Sequence, residues 1–220
     1  MLRYDDNGKK LIDDFATDGG WETYSRDFYS REIADALGRG QVFAAVNSKV
    51  LEDGTIKWND PVHFHIKWLC EHIGRVRPTS VFECGCGGGQ NLHNIGLLFP
   101  GIELGGADLV ENQIRASAAL VGTPQGIVDL LQVADLSAPG AWRELGRWEY
   151  VFTNAVLMHL AYDRAREFLT NMAHLSSKWI RITEDLGQHD FPALFKESGV
   201  FDAFEIVENN NGVCILRRIE

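Results

Sequence analysis

The sequence lacks any apolar run approaching the roughly eighteen residues that a membrane-spanning helix needs, so no membrane partner is expected. It is also poor in positive charge. Lys and Arg number 21 against 31 Asp and Glu, a formal charge of −10, and no local basic patch offsets that balance. A field of that sign repels a polyanion, which argues against DNA and RNA as partners. Cysteine is scarce as well: Cys70, Cys84, Cys86 and Cys214 include no CxxC pair, so buried free thiols are expected in place of a disulfide framework or a metal cluster. His63 and His65 stand two apart in a predicted helix and point to different faces, so they do not share a metal, and no metal is expected. The opening stretch MLRYDDNGKKLIDDF is charged from its start and has no apolar core of a secretory signal; a cytoplasmic setting is expected. Internal repeats, low-complexity tracts and long linkers are absent from the sequence.

What is present is an ordinary globular composition, 45% apolar and 24% charged, in 220 residues, enough for one sizeable core. From residue 61 onward short apolar runs alternate with longer amphipathic ones. The pattern predicts strands at 80–84, 103–108, 129–134, 149–154, 178–183, 203–209 and 212–218. Helices are predicted at 62–75, 90–98, 111–121, 163–176 and 191–198. This order describes an α/β protein, a doubly wound, seven-stranded and mostly parallel sheet. Asn211 and Gly212 leave no room for a helix between the last two strands, which predicts a C-terminal antiparallel hairpin. Residues 61–220 form the expected main domain. Residues 1–60, with a helical, aromatic segment and a turn-rich one, form an N-terminal extension.

The densest chemistry lies in VFECGCGGGQN, Val81 to Asn91, where a strand runs into glycines at 85, 87, 88 and 89 before a helix. Glycine has no Cβ and tolerates positive φ, so backbone N–H groups and the helix N-terminus can approach a polar or anionic ligand. A phosphate-binding P-loop needs Lys followed by Ser or Thr after the last glycine, and Gln90 and Asn91 stand there instead. A dinucleotide fingerprint starting at Gly85 wants a small residue at 90, so Gln90 weakens that reading too.

An acidic residue at the strand end followed by alternating glycines, Glu83 with Gly85, Gly87 and Gly89, resembles the first motif of class I S-adenosylmethionine-dependent methyltransferases. The resemblance continues at later strand ends: Asp108 in GIELGGADLVENQI, Asp135 and Leu136 in LLQVADLSAP, and Asn154 and Ala155 in YVFTNAVLMHL. The expected fold is therefore the Rossmann-like methyltransferase fold. The resemblance implies S-adenosylmethionine as cofactor and S-adenosylhomocysteine as product. It also implies a cofactor site of Glu83, Gly85, Cys86, Gly87, Gly89, Asn91, Asp108, Leu109, Asp135, Leu136, Asn154 and Ala155. Within that set the glycine turn and Glu83 face the methionine end, Asp108 the ribose and Asp135 the adenine amino group.

The acceptor expected from the resemblance is a small polar molecule, foremost a hydroxyl of a saccharide or other metabolite. No Asn-Pro-Pro-aromatic stretch follows Asn154, which disfavours the amide and adenine nitrogen methylases that carry one. His159 is the candidate general base or substrate contact, with a structural role as its alternative. Glu184 and Asp185 either bind substrate or cap the helix after Phe191; His189 carries the same ambiguity. Tyr24 and Tyr29, beside Trp21 and Phe28, either close over the substrate as a lid or pack internally. Competing readings are a small-molecule N-methyltransferase, a non-catalytic interaction module on the same fold, and an NAD-dependent oxidoreductase.

Overall fold

The computed structural model describes residues 3–4, 10–11, 48–59, 64–121, 129–184, 189–210 and 212–220. Most of the expected extension, including Tyr24 and Tyr29, lies outside these residues, as do His63 and Asp185. Two compact units are distinguished, Tyr24–Val133 and one containing Ala134–Glu220.

In the first unit a short ladder pairs Lys49–Val50 with Ile56–Lys57. Helix α1, Phe64–Val76, follows and buries Leu69, Cys70 and Ile73. It stops at Arg77, held at φ 48 ahead of Pro78, whose ring disfavours helical geometry in the residue before it. Strand β1, Ser80–Cys84, is buried along its whole length, as suits a strand covered on both faces. Helix α2, Gln90–Leu98, strand β2, Glu103–Asp108, helix α3, Glu111–Val121, and strand β3, Leu130–Val133, complete the unit. β2 runs parallel to both β1 and β3.

In the second unit β4, Trp148–Asn154, runs parallel to β5, Ser176–Thr183. Between them α4, Tyr162–Leu175, buries Ala165, Phe168, Leu169, Met172 and Leu175, the stripe an amphipathic helix turns to a sheet. Helix α5, Phe191–Glu197, starts where Asp190 accepts the Ala193 N–H at 3.1 Å and Pro192 occupies the first turn. Strands β6, Phe204–Asn210, and β7, Val213–Arg218, form the predicted antiparallel hairpin, and β7 is also antiparallel to β5.

The seven strands are ordered β6-β7-β5-β4-β1-β2-β3 in one mixed, mostly parallel sheet. β6 is an outer strand, and its pairing shifts register between Ile206 and Glu208 while Glu205 and Glu208 add charge, both devices that blunt an open edge. Among the described residues no helix is long and apolar enough to cross a membrane.

Candidate active site

In the first unit the chain leaves β1 through Gly85, Gly87 and Gly89 at φ 75, 50 and 78, left-handed values that favour glycine. The Gly85 and Cys86 N–H groups both donate to the Ala107 carbonyl, at 2.8 and 3.0 Å. The Gly87 N–H donates to Asp108 Oδ2 at 2.9 Å, and the Val110 N–H donates to Asp108 Oδ1 at the same distance. Asp108 thus fastens the glycine turn to the end of β2. It stays partly accessible, and burial pushes its carboxyl above the usual range against the downward pull of those two N–H bonds. Leu109, next to it, is half-buried.

Close approach also depends on β2. A Cβ on Gly106 would stand 2.8 Å from Leu92 Cδ1 and 2.9 Å from Cys86 Cβ, so the space for the turn and α2 is left by the neighbouring strand.

Beneath the turn Glu83 is only 2% exposed. Its Oε1 accepts from Asn91 Nδ2 at 2.6 Å, while its buried Oε2 has no hydrogen-bond partner. Desolvation, reinforced by the nearby Asp108 and opposed by the Asn91 bond, pushes this carboxyl up to about 8. Asn91 belongs to the first turn of α2, whose N-cap is Gly89 and carries no side-chain cap. An electron-rich buried acid and the electropositive start of a helix therefore share one cluster.

In the second unit Asp135 ends its approach in a tight turn. Its Oδ1 accepts the Ser137 N–H at 3.0 Å, and its Oδ2 pairs with Arg164 at 2.9 Å. Leu136 is buried, and its carbonyl and that of Ala138 each accept from Asn171 Nδ2 at 2.9 Å. Ser137, Arg164 and Asn171 escaped the sequence reading. Asn171 did leave a trace, a polar residue within the apolar stripe of α4.

After Asn154, Ala155 sits at φ 56, strained for a residue with a Cβ, and its N–H donates to the Thr183 carbonyl at 2.9 Å. The loop then enters a 3-10 turn, Leu157–His159. Glu184, 6% exposed, receives the Val156 and Leu157 N–H groups on Oε1 at 2.8 and 3.0 Å and the Met158 N–H on Oε2 at 3.2 Å. His189 donates from Nε2 to the Leu157 carbonyl at 2.8 Å, which requires the proton on that nitrogen. Glu184 and His189 therefore clamp the backbone of the loop that carries His159. Glu184 caps this turn and not the helix after Phe191, where Asp190 performs that role. His159 is half-buried at the end of the clamped turn.

Residues 82–177 match the family model described as a methyltransferase domain. No curated protein matches the sequence. Among solved structures, magnesium protoporphyrin IX methyltransferase from Synechocystis PCC 6803 with bound SAM is similar over 95% of this chain and 99% of its own, at 17% identity and a TM-score of 0.56. An O-methyltransferase family protein from Burkholderia thailandensis is similar over 65% of this chain and 51% of its own, at 16% identity and a TM-score of 0.53. The N-terminal domain of EvdMO1, crystallised in the presence of SAH and D-fucose, is similar over 77% of this chain and 84% of its own, at 17% identity and a TM-score of 0.52. The chain has the Rossmann-like fold of these methyltransferases, and its residues 82–177 are similar to a methyltransferase domain.

Proposed function

We propose that the chain binds S-adenosylmethionine and transfers its methyl group to a hydroxyl of a small molecule, releasing S-adenosylhomocysteine. The observation that carries this reading is the buried, half-satisfied Glu83 carboxyl beneath the glycine turn that opens α2. An amino-acid end group needs both signs, an acid for its ammonium and N–H groups for its carboxylate. A pyrophosphate needs only the second and leaves the buried acid without a partner, which disfavours NAD.

In this reading Glu83 and the turn residues Gly85, Cys86, Gly87 and Gly89, with Asn91, serve the methionine end. Asp108 takes the ribose hydroxyls on lone pairs left beside its two backbone bonds, with Leu109 next to it; a carboxylate has about four acceptor sites. Asp135 and Leu136 serve the adenine, and Asn154 and Ala155 the methyl end. When bound, the sulfonium supplies an already activated methyl group. The chain then has to orient the acceptor, exclude water and receive one proton: an O–C bond forms, the C–S bond breaks, and the hydroxyl proton passes to His159. A clamped backbone around His159 suits that positioning. Four free, buried thiols agree with a reducing, cytoplasmic setting.

Calorimetric titration with S-adenosylhomocysteine tests the cofactor assignment, with micromolar binding expected and NAD giving none. Transfer of labelled methyl from S-adenosylmethionine to hydroxyl compounds tests the reaction. Binding of NAD in preference to S-adenosylhomocysteine would refute the reading.

A further inference from the structure

In the second unit, His189, Asp190 and α5 meet the β6–β7 hairpin around a cavity of about 380 Å³. Phe191, Phe195 and Cys214 line it as buried residues; Phe201 and Ile206 also line it and are 37% and 40% exposed, which puts them at its rim. Burial pushes the Cys214 thiol up to about 12, so this surface stays neutral and weakly polar. The rings form an edge-to-face chain: His189 to Phe191 at 6.0 Å and 79°, Phe191 to Phe195 at 5.8 Å and 62°, Phe195 to Phe201 at 5.5 Å and 75°. Polar groups come from His189, Asp190 and Asn209, the last two exposed.

A dry cavity of roughly 150 Å³ takes one benzene, so this volume suits a body of about two fused rings with substituents. Aromatic walls reward a flat apolar guest. A saccharide carries hydroxyls around its whole ring, and each one buried without a partner costs about 1–3 kcal/mol. The cavity offers polar partners only through three residues. His189 also ties this cavity to the active-site loop, since the imidazole that lines it donates to Leu157, two residues before His159.

We infer that this cavity seats the ring system of the methyl acceptor, and that the acceptor is a hydroxylated aromatic of about two rings instead of a saccharide. The inference rests on the methyltransferase reading above. Asp190 and Asn209 accept from hydroxyls at the rim, and the apolar walls hold the ring body.

The test uses the full chain with 2-naphthol as aromatic probe and methyl α-glucopyranoside as polar control, followed by saturation-transfer NMR, beside a separate calorimetric titration with S-adenosylhomocysteine. Phe201→Arg and Ile206→Glu change two rim side chains that the core does not require, and thermal melts verify that each variant is folded. The expected result is binding of 2-naphthol but not the glucoside, a loss of about tenfold or more in naphthol affinity in both variants, and unchanged S-adenosylhomocysteine affinity. If S-adenosylhomocysteine binds while 2-naphthol does not, or binds equally to both variants, the acceptor assignment falls alone. If the unaltered chain does not bind S-adenosylhomocysteine, the methyltransferase reading falls and the acceptor assignment with it.

Discussion

Replacing Glu83 by Gln should leave stability unchanged in mild acid and raise it in mild base. Glu83 is fully buried, and its carboxyl is shifted from 4.5 to about 8, mainly by desolvation. The folded state therefore holds this proton more tightly than the unfolded chain does. Below pH 4.5 both states are protonated and the site costs nothing. As pH rises from 4.5 to 8 the unfolded carboxyl ionises while the folded one resists, so stability is lost across that window and the loss levels off above it. Raising the carboxyl from 4.5 to about 8 corresponds to about 5 kcal/mol, an upper bound for the gain on substitution. Gln keeps an acceptor for Asn91 and mimics the protonated acid, so little is lost in exchange. For a chain of this size the gain is a rise in melting temperature on the order of 10 °C at pH 8.5. Thermal melts of both proteins from pH 5 to pH 9 read this directly; parallel profiles would refute the placement of a proton-holding acid under the turn. Ligand binding supplies a second arm. The ammonium of S-adenosylhomocysteine favours the ionised Glu83, so its binding near pH 7 should release a proton, seen as a binding enthalpy that varies with the ionisation enthalpy of the buffer. The Gln variant should bind more weakly and without that release.

Gly106→Ala should destabilise the chain by about 1–3 kcal/mol in urea titrations, since its methyl meets Leu92 and Cys86 inside contact distance, and should weaken S-adenosylhomocysteine binding by displacing the turn. Asn171→Leu should cost about 2–4 kcal/mol by the same measurement, because a buried and a part-buried carbonyl in the Asp135 turn lose their donor. His159→Gln should lower the rate at saturating cofactor by about a hundredfold, with S-adenosylhomocysteine affinity unchanged; an effect on acceptor KM alone would make the residue a positioning group.

The fold was legible because its grammar is local. A short strand such as Ser80–Cys84, with Val81 and Phe82 at its centre and glycines behind it, or the spacing of Phe168, Leu169, Met172 and Leu175, is decided by neighbours within two turns. The two strands around Gly212 announced their hairpin for the same reason. Strand-end chemistry was legible to the same depth: the sequence placed Glu83, Asp108, Asp135 and Asn154 at strand ends, and the structure has them within or just beyond those ends. Its partners were not legible. Nothing near Asp108 in sequence says that Gly87 will donate to it, and nothing near Gly106 says that Leu92 will occupy the space it leaves.

The same limit explains Glu184 and His189. Sequence proximity suggests substrate or the nearest helix as their partners. In the structure they bond to the backbone 26 to 32 residues earlier, in the turn after β4. That turn needs them. It leaves β4 through Ala155 in a left-handed conformation unfavourable to a side chain, and its N–H groups have a carboxylate where a longer helix would have offered little more than water. A negative group on the N–H side and a ring donor on the carbonyl side hold the loop in that strained path, and His159 inherits a fixed backbone. In the proposed reaction a residue able to take a proton is useful only if it waits in one place, and under that reading these two residues act through the geometry they impose on a third.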